Sequence, residues 1–169
     1  MSPGTMTRAW RSGKARGRLG LLFGLVLAIA AAGLAAAGER EPVVVDPNSG
    51  LAISGIDPVA YFTDKNPVFG RPALELSLDG TIWRFRNEGN RAAFAAHPEV
   101  YRPRFGGYDP TAIARDRSVA GNPLIWAIVE ERLYLFYSDE TRRAFLADPQ
   151  GFDDRATRKW PVVARTAGR

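Results

Sequence analysis

The sequence predicts an α+β fold: two β-hairpin–helix repeats forming a small antiparallel sheet with helices packed on it. Three observations carry this. Residues 82–101 (IWRFRNEGNRAAFAAHPEVY) lie over 133–152 (LYLFYSDETRRAFLADPQGF) at an offset of 51 without a gap, with Phe85/Phe136, Arg91/Arg142, Ala93/Ala144, Phe94/Phe145, Ala96/Ala147 and Pro98/Pro149 identical. Each copy is preceded by a strand-like run that ends in two turn residues. Each copy then passes from strand to capping residue, short helix and proline stop.

Residues 1–37 form a leader. Arg8, Arg11, Lys14, Arg16 and Arg18 precede the uncharged run LGLLFGLVLAIAAAGLAAA at 19–37, and no acid occurs before Glu39. A basic flank, an apolar core and an Ala35-Ala36-Ala37 exit describe a secretory signal peptide. An uncleaved N-terminal membrane anchor stays open, because such a run at about 1.5 Å per residue nearly spans a bilayer core of roughly 30 Å. In either case residues 38–169 are expected to be exported, periplasmic or secreted, with membrane contact only if the leader is uncleaved. The leader also explains the formal charge of +5 and the pI near 10. Without it 18 basic residues face 18 acidic ones, which disfavours a nucleic-acid partner.

Residues 38–50 (GEREPVVVDPNSG) hold two prolines and several turn formers around three valines and are expected to be a linker or edge segment. The domain proper is expected over 51–163, with repeats near 74–101 and 124–152 and a frayed tail at 164–169. In the first repeat, residues 74–78 alternate into Asp79-Gly80, a two-residue hairpin signal. In the second, residues 124–129 run into Glu130-Glu131, a hairpin with weaker turn chemistry. Asn87 and Ser138 are the natural helix caps, and Pro98 and Pro149 stop the helices. A last helix is expected from Asp153 to Trp160.

The residues Ser54-Gly55-Ile56-Asp57-Pro58-Val59-Ala60-Tyr61-Phe62 resemble the opening of exported bacterial YHS-domain proteins. Trp83-Arg84-Phe85, Asn90-Arg91, Phe94, Pro98 and Tyr101 are similar to that family's strand–helix core, Phe105-Gly106-Gly107-Tyr108 to its glycine-rich segment, and Trp126 to Val129 with Leu133-Tyr134-Leu135 to its second hairpin. The resemblance covers about residues 51–161. It implies a small α+β module descended from metal (copper) handling, whose metal-binding relatives carry paired cysteines. This chain has no cysteine. Arg86 and Asn90 stand in the thiolate positions of the first copy, Tyr137 and Thr141 in those of the second, and Asp109 replaces the cysteine of the glycine-rich segment. A soft-metal site therefore has no ligands here. Asp109 suits a hard cation, but one carboxylate makes no site.

The lone His97 is the obvious ligand or acid–base candidate. At the end of a predicted helix, however, a favourable interaction with the helix C-terminus is sufficient reason for it. Asp109-Pro110 and Asp57-Pro58 are equally helix starts, with proline at the first helical position. A hydrolase needs a nucleophile, a base and an orienting acid, and no nucleophile elbow is present. Gly106-Gly107 lack the lysine and hydroxyl of a phosphate loop. Trp83, Trp126, Trp160, Tyr134, Tyr137, Phe94 and Phe145 read as core. Asp153-Asp154 and Glu130-Glu131 read as solvated. No catalytic residue, cofactor or protein partner can be named. The reading is an exported, non-enzymatic YHS-like binding module whose ligand pocket is lined by Tyr61, Gly107, Tyr108, Asp109 and His97. A structural or protein-interaction domain without a small ligand is the alternative, and an enzyme of unknown type the second alternative.

Overall fold

A computed structural model describes Met1 and residues 41–167. The expected signal peptide or anchor lies outside the described residues except for Met1, as do tail residues 168 and 169. Among the described residues, no helix is long and apolar enough to cross a membrane.

In the first unit a left-handed turn at Ile53–Gly55 leads into α1 (Ala60–Thr63), the hairpin β1 (Arg71–Leu78) and β2 (Thr81–Phe85), then α2 (Glu88–Ala96) and α3 (Pro98–Tyr101). The second unit repeats the order: a turn at Arg104–Gly107, α4 (Pro110–Ile113), β3 (Asn122–Val129), β4 (Arg132–Phe136), α5 (Asp139–Ala147) and α6 (Pro149–Val163). The architecture is α+β, and each hairpin forms its own two-stranded antiparallel sheet.

Local chemistry accounts for the elements. Both hairpin turns have positive φ at their two central residues, Asp79 (54°) and Gly80 (82°), then Glu130 (49°) and Glu131 (59°). That is the turn whose twist matches two paired strands. In β1 the register slips between Arg71 and Glu75, and in β3 between Asn122 and Trp126, so the same irregularity recurs at corresponding places. Asn87 caps α2 by accepting from the Asn90 amide at 2.8 Å. Ser138 caps α5 in a reciprocal capping box with Thr141. Helices α2 and α5 are each separated by a single residue, His97 or Asp148, from a proline that opens the next helix. The final helix is longer than the sequence pattern indicates, because Asp148 caps it by accepting from the Gly151 amide at 3.0 Å.

The repeat extends further upstream than the 51-residue offset reaches. Gly55-Ile56-Asp57-Pro58 and Gly107-Tyr108-Asp109-Pro110 occupy corresponding places at an offset of 52. Ile53, Ser54 and Gly55 have φ of 41°, 56° and 75°, matched by 55°, 60° and 89° at Phe105, Gly106 and Gly107. Bridges pair Ile56 with Phe69 and Tyr108 with Ala120, so the connecting segment is one residue longer in the first unit.

Residues 42–46, expected within a linker, are docked. The Val44 amide donates to Gly106 O at 2.8 Å, and its carbonyl accepts from the Ile53 amide at 2.9 Å. One residue thus hydrogen-bonds to the left-handed turns of both units. Val43 packs on one hydrophobic cluster and Val44 on the other.

Those clusters meet at β4. Leu133 and Leu135 join Ala52, Ile53, Tyr61, Trp83, Phe85 and Phe94, whereas Tyr134 and Phe136 join Phe105, Ile113, Phe145 and Val163. Alternate side chains of one strand therefore enter two cores, and all four are buried. In β2 the corresponding Ile82 is exposed and Arg84 only partly buried.

Candidate functional site

Asp57 and Asp109 organise the two units in the same way. Asp57 is fully buried. Its Oδ1 accepts from the Val59 amide at 2.9 Å, and its Oδ2 accepts from the Arg86 amide at 2.8 Å and Asn90 Nδ2 at 2.7 Å. Asp109 is also fully buried. Its Oδ1 accepts from the amide and hydroxyl of Thr111, each at 2.8 Å, and its Oδ2 from the Tyr137 amide at 2.8 Å. Each carboxylate caps the turn after it and ties that turn to the end of a strand 28 or 29 residues away. Burying an ionised carboxylate is tolerable only with such a set of donors.

The side chains around these two anchors differ. In the first unit the Arg86 guanidinium reaches across to the Asp64 carboxylate in an ion pair. Asp64 directly precedes Lys65, whose φ is 53°, and Arg115 directly precedes Asp116, whose φ is 59°, so Arg115 stands where Asp64 stands. Tyr137 stands where Arg86 stands. The second unit thus holds a guanidinium and a phenol in place of the ion pair, and Tyr137 is 64% exposed, not the core residue its spacing suggests.

Beside Tyr137 lies a cavity of about 370 Å³. Buried Asp109 and Thr111 form its floor, half-buried Ala112, Val119 and Thr141 its wall, and exposed Tyr137, Arg115 and Arg117 its rim. Neither arginine forms an ion pair among the described residues. A second cavity of about 360 Å³ is lined by Leu78, Asp79, Pro98, Arg102, Phe105 and Arg132 among others, but its charges are largely matched internally: Arg102 pairs with Asp79 at 2.6 Å and Arg104 with Asp153 at 3.2 Å.

The chain matches no family model, and neither a curated protein nor a solved structure is significantly similar to it.

The five residues expected to share a pocket are not brought together. Only Asp109 lines the cavity beside Tyr137. Tyr61 is fully buried, donates its hydroxyl to Pro123 O at 2.7 Å and packs edge-on to Trp126 at 5.3 Å, so it is a strut between the units. Its burial pushes the phenol above its ordinary pKa. Tyr108 packs on Trp160 and its pKa is raised by burial as well. The Gly107 carbonyl accepts from the Gly121 amide at 3.0 Å. His97 stands on the surface, 3.4 Å from Glu99 and 66% exposed. The backbone approach expected at the glycine-rich bend is real, but the chain's own Pro42 makes it: a Cβ on Gly106 would lie 1.9 Å from the Pro42 oxygen.

The residues present do not fit a soft metal. At the five positions where the resemblance expects thiolates, the Arg86 amide and Asn90 side chain serve Asp57, the Tyr137 amide serves Asp109, which is itself the fifth, and Thr141 completes a helix cap. Among the described residues no three His, Asp or Glu side chains gather as metal ligands. Asp153, expected to be solvated, accepts the Tyr134 hydroxyl at 3.0 Å. Burial, reinforced by that carboxylate, pushes the Tyr134 phenol up to about 12. The cavity residues sequence reasoning missed include Arg115 and Arg117, and Tyr137, which it placed in the core. The exchange of Asp64 for Arg115 is the signal that points to them, and it emerges only once the left-handed residues Lys65 and Asp116 are superposed.

Proposed function

We propose that the chain is an exported, non-enzymatic binding module of the YHS-like kind, and that its ligand occupies the cavity beside Tyr137. One observation carries the reading: the ion pair across this position in the first unit is replaced in the second by a cavity of about 370 Å³, within the ~300–1,000 Å³ range that holds small ligands. Its floor is a carboxylate whose oxygens are engaged by Thr111 and Tyr137, which leaves it holding a loop rather than transferring protons. The order of the segments around Asp57, Trp83, Gly106 and Trp126 supports the family assignment, and the basic and apolar leader supports export.

The test is thermal unfolding of the full chain against a panel of small carboxylates, amines, alcohols, inorganic anions and the divalent cations of copper, zinc, nickel and calcium. Binding to the native state raises the midpoint once ligand exceeds its Kd. A saturable rise, abolished by Ala112→Phe, which fills the cavity, is the expected result. A flat panel, or a rise indifferent to that substitution, overturns the reading in favour of a domain that works through protein contacts alone.

A further inference from the structure

We infer that the ligand of this cavity is a small organic carboxylate with an apolar body, held by Arg115 and Arg117 and packed against the Tyr137 ring; this rests on the cavity being the binding site. The two units serve as each other's control. In the first, a guanidinium on the strand end (Arg86) is neutralised by a carboxylate on the turn (Asp64). In the second, the turn carries the guanidiniums, Arg115 and Arg117, the Asp116 carboxylate between them is paired with Lys159, and the strand end supplies only the uncharged Tyr137. The unit therefore keeps a cationic partner at this position and lacks the anionic one. A carboxylate brought by a ligand restores the pair, with the positions of donor and acceptor exchanged.

Charge alone does not distinguish a carboxylate from phosphate. The remaining surface does. Ala112, Val119 and the Tyr137 ring give the cavity apolar walls, and Tyr137 is 64% exposed with its side chain outside both hydrophobic clusters. An aromatic ring left in water beside two guanidiniums favours a body that can stack and a head that can take planar, paired hydrogen bonds. A fully hydrated inorganic anion would use the arginines and leave those walls wet. The floor adds selectivity. The Asp109 carboxylate below repels an anion pushed to full depth, so the head group sits at the arginine rim and the apolar body against the wall.

The experiment is calorimetric titration of the full chain at low salt with benzoate and hexanoate, with benzyl alcohol and hexanol as uncharged counterparts, and with inorganic phosphate. The expected result is saturable binding of at least one carboxylate, with its alcohol and phosphate each at least about tenfold weaker. Arg115→Gln/Arg117→Gln should weaken the carboxylate by about tenfold or more, while Arg115→Asp/Tyr137→Arg, which transplants the first unit's pair, should abolish binding. Circular dichroism of both variants checks that they remain folded, and Arg158→Gln on α6 controls for the loss of surface charge. Equal binding of acid and alcohol, binding that survives Arg115→Gln/Arg117→Gln, or phosphate as tight as the carboxylates overturns the inference. A metal, amine or alcohol that binds in the cavity while the carboxylates do not overturns the ligand class and leaves the binding module standing. Silence from every probe overturns both.

Discussion

Asp109 and His97 look equally functional in the sequence and have opposite roles in the structure. Asp109 satisfies three donors from a fully buried position; among the described residues the His97 side chain meets only Glu99, at the surface. Asp109→Ala leaves the Thr111 and Tyr137 amides without an acceptor in the interior and removes a helix cap, so it should cost about 2–5 kcal/mol. His97→Ala should change stability by no more than about 0.5 kcal/mol. Urea denaturation of the two variants at neutral pH checks the contrast, and comparable losses would contradict it. The capping half of this role is legible in Asp-Pro, because a carboxylate before a helix-opening proline has only its own next turn to bond. The other half is not, since the Tyr137 amide lies 28 residues on and is brought to Asp109 by the hairpin. A mismatch of the same kind sits in the first unit. Trp83 Nε1 and Arg102 Nε are buried without a hydrogen-bond partner among the described residues, where the second unit sets the Tyr134 hydroxyl on Asp153.

At the scale of elements, hairpins, caps and proline stops were legible because each is set by neighbours a few residues apart. Asn87 and Ser138 cap as their side chains dictate, and Glu130-Glu131 forms the same turn as Asp79-Gly80 despite poorer residues, since the duplicated hairpin imposes it. The upstream half of the repeat stayed hidden behind a one-residue difference in length, which breaks a gapless comparison although both copies show Gly, Asp and Pro at matching places. The left-handed turns could not be read as docking points either. What they receive is residues 42–46, whose proline and valines look like a linker until Val44 is seen bonded to both turns. Gly106 is the residue on which that docking depends: its φ is 60°, and an added Cβ would overlap the Pro42 oxygen. Gly106→Ala should displace the segment and destabilise the fold by about 2 kcal/mol or more, combining left-handed strain of roughly 1–2 kcal/mol with the lost Val44 contacts. Ser54→Ala, at the matching position of the first turn, replaces a non-glycine and should cost far less. Chemical denaturation of the pair, with limited proteolysis near residue 42 as the local readout, checks this; equal losses would refute the docking role.

At the scale of the molecule, duplication did not yield two independent halves, because the copies have specialised at their contact. β2 leaves Ile82 and Arg84 partly exposed, whereas β4 buries the corresponding Leu133 and Leu135 in the first unit's core and Tyr134 and Phe136 in the second's. Tyr61 adds a hydrogen bond from the first unit to Pro123 of β3, and Val44 bonds to both. A strand shared by two cores cannot lose one without losing its place in the other, so the units should unfold together. Leu135→Ala removes a fully buried side chain from the first core and should cost about 2–5 kcal/mol. If β4 couples the cores, the loss appears equally in both. Amides of α2, in the first unit, and of α5, in the second, should lose hydrogen-exchange protection by the same factor, and denaturation should stay a single transition. Retention of parental protection in α5 would show two units that merely touch. The distinction bears on binding, because the cavity beside Tyr137 is anchored by Asp109 to the end of β4. In a coupled molecule a ligand there stabilises the first unit as much as the second, and its occupancy reaches α2 through the strand that both cores hold.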